Sequence, residues 1–288
     1  MIKRVIAVTC LAAMLILPGA AFAQDPAYGQ LDPKPYDPAT EPNIDMFIAS
    51  YKENLPHHSF GTLIERDILT RNDGDPLRPK NRGAVLTNLK EFTHGQLEAG
   101  NKTLPSTLKG EQKIFYIYTG KGVIKAGGKT LDLYNGIAAL VPPAVEFVIE
   151  NTSDEPLSMY IMTENLPDGF KPRKDVLTRD ENIIPFTSTN VHWCHCYKNL
   201  IGQKDGLATL RGLGPVWFNP MTMGQPHSHA EGVEEIWFSL YGDITILIGK
   251  QIRKFPAGTA YKIPPNGATP HSTINVTDEP IKVFWFMN

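Results

Sequence analysis

A chain of 288 residues, 42% of them apolar, is long enough to bury one large core or two medium ones. It carries 28 Lys and Arg against 30 Asp and Glu, a formal charge of −2. No basic stripe or clustered Lys/Arg face breaks that balance, so composition argues against nucleic acid or a membrane surface as a partner.

Residues 1–23 read as a cleavable export signal. Lys3 and Arg4 precede the apolar run Val5 to Leu17, and Ala21-Phe22-Ala23 forms a small-residue cleavage site before Gln24. The run is too short for a membrane span, Pro18-Gly19 interrupts it, and Cys10 lies inside it rather than after it, which disfavours a lipid anchor. Removing Lys3 and Arg4 from the 28 basic residues leaves 26 against 30 acidic ones. The expectation is a mildly acidic periplasmic or secreted protein that starts near Gln24, lacks a stable membrane anchor, and retains only Cys194 and Cys196.

Residues 24–84 form an N-terminal arm and first strands. Gln24 to Pro42 is proline-rich without periodicity, which predicts an extended arm. Ile44, Phe47, Ile48 and Tyr51 recur at helical spacing, which predicts a short amphipathic helix over Asn43 to Asn54, stopped by Pro56. His57-His58 fall in a solvated loop. Thr62 to Leu69 reads as a strand and Arg71 to Arg82 as a polar loop; beyond it lie short strands separated by Gly, Pro and Asn.

A repeat organises the rest of the chain. A shift of about 122 residues places Gly110 on Gly232, Gly120 on Gly242, Gly127 on Gly249, Gly136 on Gly258 and Pro142-Pro143 on Pro264-Pro265. Two inserted residues then align Asn151 with Asn275 and Asp154-Glu155-Pro156 with Asp278-Glu279-Pro280. The chain is a duplicated β unit. Residues 85–165 form the first repeat, 166–189 a solvated connection, and 190–288 the second repeat. Val191 to Tyr197, with His192, Cys194, His195 and Cys196, reads as a core strand; a second metal site and a local disulfide are the alternatives.

The second repeat carries the chemistry. His227 and His229 stand at i and i+2, so an extended chain points both imidazoles the same way. Glu234 and Glu235 open the next apolar run, and only one of two adjacent strand residues faces inward. His271 lies downstream. Three neutral imidazoles and a carboxylate suit one divalent transition metal, Fe, Mn, Ni, Cu or Zn, rather than the all-oxygen shells of calcium or magnesium. The same alignment, ungapped as far as the prolines, puts Pro105 opposite His227, Thr107 opposite His229 and Lys113 opposite Glu235, and after the two inserted residues it puts Phe147 opposite His271. None can replace the ligand it faces, so the chain is expected to hold one metal site.

These residues resemble the motifs of the cupin superfamily. His227-Ser-His229, Glu235 and, six residues on, Gly242 match its first motif; Gly258, Pro265-Asn-Gly267, His271 and Asn275 match its second. The resemblance covers roughly residues 85 to 288. It implies an all-β chain of two tandem cupin-type β-barrels, double-stranded jelly rolls, behind a short helical or extended N-terminal arm. It favours Glu235 as the ligand through the six-residue interval to Gly242, while Glu234 keeps the family's interval from the histidines. If Glu235 faces inward, Trp237 and Ser239 line the pocket, and Ile236, Phe238 and Leu240 pack behind the sheet. Glu234 and Tyr261 are then the candidate catalytic groups beyond the ligands.

The expected function is an exported bicupin metalloenzyme acting on a small, oxygen-rich, carbohydrate-derived substrate by isomerisation, elimination or hydrolysis. A dioxygenase acting on an aromatic or enediol substrate is one alternative, and a non-catalytic small-ligand binder is another. Homo-oligomerisation is left open.

Overall fold

The computed structural model describes residues 41–187 and 195–288. The export signal, the proline-rich arm to residue 40, and His192 and Cys194 lie outside the described residues. Among those described, no helix is long and apolar enough to cross a membrane.

The repeat in the sequence becomes a repeat in space. The paired turn glycines Gly110 and Gly232, Gly120 and Gly242, and Gly136 and Gly258 all adopt positive φ. At Gly120 the need is steric as well, because a Cβ there would sit 2.5 Å from the Pro156 carbonyl oxygen. The paired asparagines act alike. Asn151 donates to the carbonyls of Leu97 and Glu155, and Asn275 to those of Phe218, Asn219 and Glu279.

Each repeat closes two antiparallel sheets around its own core. In the first barrel, the large sheet contains Leu63–Arg71, Leu89–Leu97, Leu157–Asn165, Glu111–Thr119 and Ile137–Val141. The small sheet contains Lys121–Ala126, Lys129–Tyr134 and Phe147–Asn151. Phe115, Ile117, Ile124, Phe147 and Ile149 fill the space between them. In the second barrel, Thr259–Lys262, Glu235–Ser239, Ile281–Met287, Gly212–Phe218 and His195–Tyr197 form the large sheet. Thr222–Met223, His271–Asn275, Ile244–Ile248 and Gln251–Phe255 form the small one, and Phe218, Trp237, Ile246, Tyr261 and Val283 fill the core.

A third core lies between the barrels. Alternate residues of the two large sheets face each other there: Phe92, Ile114, Tyr160 and Met162 from the first, Ile236, Phe238, Phe284 and Phe286 from the second. Phe92 meets Phe238 and Phe286 edge-on at centroid distances of 5.3 and 5.0 Å. Fully burying each such side chain contributes about 1.5–3 kcal/mol, so the barrels are one packed body.

The segment expected to be a helix over Asn43 to Asn54 folds otherwise. It forms a 3-10 turn Ile44–Phe47, a strand Ile48–Ser50 and a second 3-10 turn Tyr51–Glu53. The strand adds to the edge of the second barrel, with Ile48 opposite Tyr261, and the Ser50 hydroxyl donates to the Gly258 carbonyl at 2.7 Å. An isolated helix of this length is marginal, and an open sheet edge offers a full set of backbone hydrogen bonds instead. The apolar residues are buried as the pattern required, Ile44 and Ile48 in the second barrel and Phe47 between the barrels. His57 and His58 are exposed, on the short strand His57–Ser59 rather than in a loop.

The connection between repeats is likewise more than a solvated linker. Leu177–Asp180 adds to the edge strand Ile137–Val141 of the first barrel. Glu181 is buried, accepts the Tyr116 hydroxyl at 2.7 Å and pairs with Lys282. Cys196 is half-buried on the strand His195–Tyr197.

His94 is buried between the barrels, stacked on Tyr51 at 4.2 Å, and its Nδ1 has no partner among the described residues. Burial, with Arg66 adding repulsion, pulls its pKa from 6.5 down to about 4. Between pH 6.5 and pH 4 the unfolded chain binds the proton more readily, so stability falls as pH falls, by about 3 kcal/mol across that window. Thermal melts at pH 7.5 and 4.5 should show a smaller drop for His94→Phe than for the unsubstituted chain.

Candidate metal centre

The Gly224-to-Val233 loop crosses the mouth of the second barrel, and the backbone fixes where it lies. His227 and His271 exchange backbone hydrogen bonds of 3.3 and 2.9 Å, and the Gly224 amide donates to the Thr273 carbonyl. This bridge puts the first histidine of the loop beside the first residue of the strand His271–Asn275. Alternation along Glu235–Ser239 then turns Glu235 into the barrel.

His227, His229, Glu235 and His271 each offer one donor atom, and these atoms all lie within 4.8 Å of one another. Metal–ligand bonds of about 2.1 Å place opposite donors about 4 Å apart, so the cluster has the right size to surround one ion. Glu235 Oε2 is 2.7 Å from His229 Nε2 and 2.8 Å from His271 Nε2. The other carboxylate oxygen, Oε1, accepts from Trp285 Nε1 at 2.6 Å. His227 Nδ1 donates to the Gln225 carbonyl at 2.9 Å, which leaves its Nε2 unprotonated.

His271 tests whether these residues fit a cation. It is 1% exposed, yet neither ring nitrogen makes a hydrogen bond among the described residues. Its Nε2 is close to Glu235 without hydrogen-bond alignment, because the donors aim at a common point rather than at each other. A buried imidazole in that state calls for a ligand, and a soft-to-borderline divalent ion suits the donor set. Electrostatics keep the carboxylate anionic. Burial pushes the Glu235 carboxyl up, but His271 and His229 outweigh it and hold the group well below the usual range. Burial pulls His229 down, and Glu235 outweighs that and raises it.

The first barrel shows the same frame without the donors. Ser106 exchanges backbone hydrogen bonds with Phe147 as His227 does with His271. Ser106, not Pro105, therefore stands in the place of His227, and Leu108, not Thr107, in that of His229. The ungapped alignment missed a one-residue insertion in the second loop. Lys113 does face the first barrel, where Nζ donates to Glu91 at 2.8 Å and Thr163 at 2.7 Å. Phe60 packs edge-on against Phe147 and under the Lys113 ammonium, which fills the mouth.

Three expected roles change. Glu234 is fully buried on the far side of its strand and cannot serve as a catalytic group. It pairs with Lys262 at 2.9 Å and accepts from the Thr87 and Leu89 amides. Burial pushes its carboxyl up, but Lys262 and those amides hold it below its ordinary value. Tyr261 is inside the barrel, but its hydroxyl is engaged with Thr273 Oγ1 at 3.0 Å and burial drives its pKa up. Ser239 shares the inward face, but its hydroxyl donates to the Gly242 carbonyl. Trp237 does line the cavity over His227 and His271, with Phe218, Gln225, Ser272 and Thr273. That cavity measures about 10 Å³, room for roughly one water-sized group. A much larger open groove, about 1190 Å³, lies on the first barrel among Lys121, Asp132, Tyr134 and Asp154, and includes no histidine among the described residues.

Two contributors escaped the sequence reading: Gln225, which acts through its carbonyl, and Trp285, which meets Glu235 only through pairing of Glu235–Ser239 with Ile281–Met287. The repeat held a signal for Trp285, since the first copy carries Ile161 in its place.

Residues 216–287 match the family model for the cupin domain. No curated protein matches the sequence. A putative glyoxylate induced protein from Pseudomonas aeruginosa superposes with a TM-score of 0.64 at 11% identity, covering 83% of this chain and 86% of that one. A mutant oxalate decarboxylase from Bacillus subtilis gives 0.61 at 11% identity, with 86% and 77% covered. Vicilin from Corylus avellana (hazelnut) gives 0.62 at 9% identity, with 84% and 85% covered. The matched part of the second barrel is a cupin domain, and the chain as a whole shares the fold of these solved structures.

Glu235→Gln removes the only anionic donor and should lower Mn(II) affinity about ten- to a hundredfold or more, measured by calorimetric titration. Glu234→Ala strands the buried Lys262 ammonium and should cost about 3–5 kcal/mol of stability in chemical denaturation, while the folded protein keeps its metal affinity.

Proposed function

We propose that this chain is an exported metal-dependent enzyme acting on a small, oxygen-rich, chelating substrate. The observation that carries the reading is the half-buried three-histidine, one-carboxylate cluster, in which neither ring nitrogen of the buried His271 makes an aligned hydrogen bond among the described residues. A divalent transition ion bound there would act as a Lewis acid toward a carbonyl or carboxylate oxygen. The chain's own residues hold the donors, fix the His227 tautomer through Gln225, and wall the cavity with Trp237 and Phe218.

The narrow cavity favours a short substrate, of which only one end enters between the histidines. Short hydroxy or oxo acids, including those derived from carbohydrates, meet that requirement. Two structural neighbours carry names pointing to equally small acids, oxalate and glyoxylate. Isomerisation, elimination or hydrolysis are the reactions proposed, with a dioxygenase reaction as the variant that would need air. The cavity lining supports a second reading, because among the described residues it contains no ionisable group beyond the histidines to act as a separate base. On that reading the protein binds its metal and ligand without turnover.

Metal-loaded protein incubated with short hydroxy acids, dicarboxylates and uronates, with and without air, should consume one class as followed by mass spectrometry. His271→Ala should consume none. If no compound is lost while calorimetry detects binding, the protein is a binder.

A further inference from the structure

We propose that Trp285 is a positioning residue that holds Glu235 as a one-oxygen ligand. The proposal rests on the metal-centre reading above and deepens it. A carboxylate beside a metal can bind through one oxygen or through both, and the choice decides how many coordination positions remain for other molecules. Here the two oxygens are treated differently. Oε2 faces His229 and His271, whereas Oε1 is engaged by the indole N–H of Trp285 at 2.6 Å. A donor that short to a carboxylate is a strong hydrogen bond. It occupies the oxygen that a two-oxygen binding mode would require.

The fold places the indole for this task. Trp285 lies on the strand Ile281–Met287, opposite Trp237 on one side and opposite Gly214 on the other. The neighbouring strand carries glycine at 212 and 214, and a Cβ at Gly212 would come within 3.8 Å of the indole ring. On that side the ring faces positions without side chains, while Tyr197 and Trp237 flank it at centroid distances of 6.4 and 6.5 Å.

The first barrel serves as an internal comparison. Its frame residues match the second barrel's, down to the asparagine that binds Leu97 and Glu155 carbonyls as Asn275 binds those of Phe218 and Glu279. At the two positions in question it has Lys113 for Glu235 and Ile161 for Trp285, and Ile161 pairs with Phe115 as Trp285 pairs with Trp237. The indole N–H occurs only in the barrel with the carboxylate to be held. A purely structural tryptophan would be as useful in either copy.

The test removes the donor and keeps the ring. Trp285→benzothienylalanine, introduced by amber suppression, replaces the indole N–H with sulfur at nearly constant shape, and Trp285→Phe is the genetic counterpart. Both are read by Mn(II) calorimetry and by the visible spectrum of the Co(II)-loaded protein, which reports coordination number. The expected result is a ten- to hundredfold loss of Mn(II) affinity, the range for losing a group that orients a ligand, with an altered Co(II) spectrum and an unchanged melting temperature of the metal-free analogue. Unchanged Mn(II) affinity and an unchanged Co(II) spectrum in the analogue would overturn the role of Trp285 while leaving the metal centre standing. An unsubstituted chain that binds neither Mn(II) nor Co(II) would overturn the metal centre and this proposal with it.

Discussion

Two buried carboxylates, one from each repeat, bind the barrels together. Glu234 reaches from the second barrel to the backbone at Thr87 and Leu89, with Lys262 supplying the counter-charge. Glu164 reaches from the first barrel to the amides of Ala208, Thr209 and Leu210, with Gln112 as an additional donor. Both are fully buried. Taking such groups out of water is costly unless every lone pair finds a donor. The geometry that supplies the donors is therefore demanded of both loops, and it fixes the relative placement of the two large sheets.

The residue next to that clamp belongs to the metal centre. Glu234 immediately precedes the strand that Glu235 opens, and in extended chain two adjacent side chains point oppositely. With Glu234 locked to the first barrel, Glu235 has only the interior of the second to occupy. A slip of one residue would bury Glu235 against the first barrel and drive Ile236 and Phe238 into the cavity. The same alternation assigns Trp237 to the site and Phe238 to the aromatic contact with Phe92. Ion binding and inter-barrel adhesion are thus properties of a single strand read from its two faces.

Much of this was legible in the sequence, because duplication and two-residue periodicity leave strong signals. The repeated glycines located the turns, and the histidine spacing with Glu235 gathered the four donors. What was not legible depended on distant pairing. The apolar spacing of Ile44, Phe47 and Ile48 fits a helix, and only the presence of an open edge at Thr259–Lys262 turns Ile48–Ser50 into a strand. Glu234 looked like a spare base because its partner Lys262 and the Thr87 loop are remote in the chain. The hydroxyls of Tyr261 and Ser239 point inward as alternation required, but local acceptors engage them. Glu181, placed in a connection of mixed charge, is buried because Tyr116 and Lys282 converge on it.

The two edge strands added by Ile48–Ser50 and Leu177–Asp180 have a joint meaning. The first precedes repeat one in the chain but completes barrel two; the second precedes repeat two but completes barrel one. Each copy lends its leading strand to the other. This is the arrangement of a strand-swapped dimer in which the partners have been joined end to end. A cut within the connection after Asp180 therefore leaves barrel one its edge strand but takes Ile48–Ser50 from barrel two. Synthesis must also run nearly to its end before residues 48–50 find residues 259–261. The earliest described strand is consequently among the last to be paired.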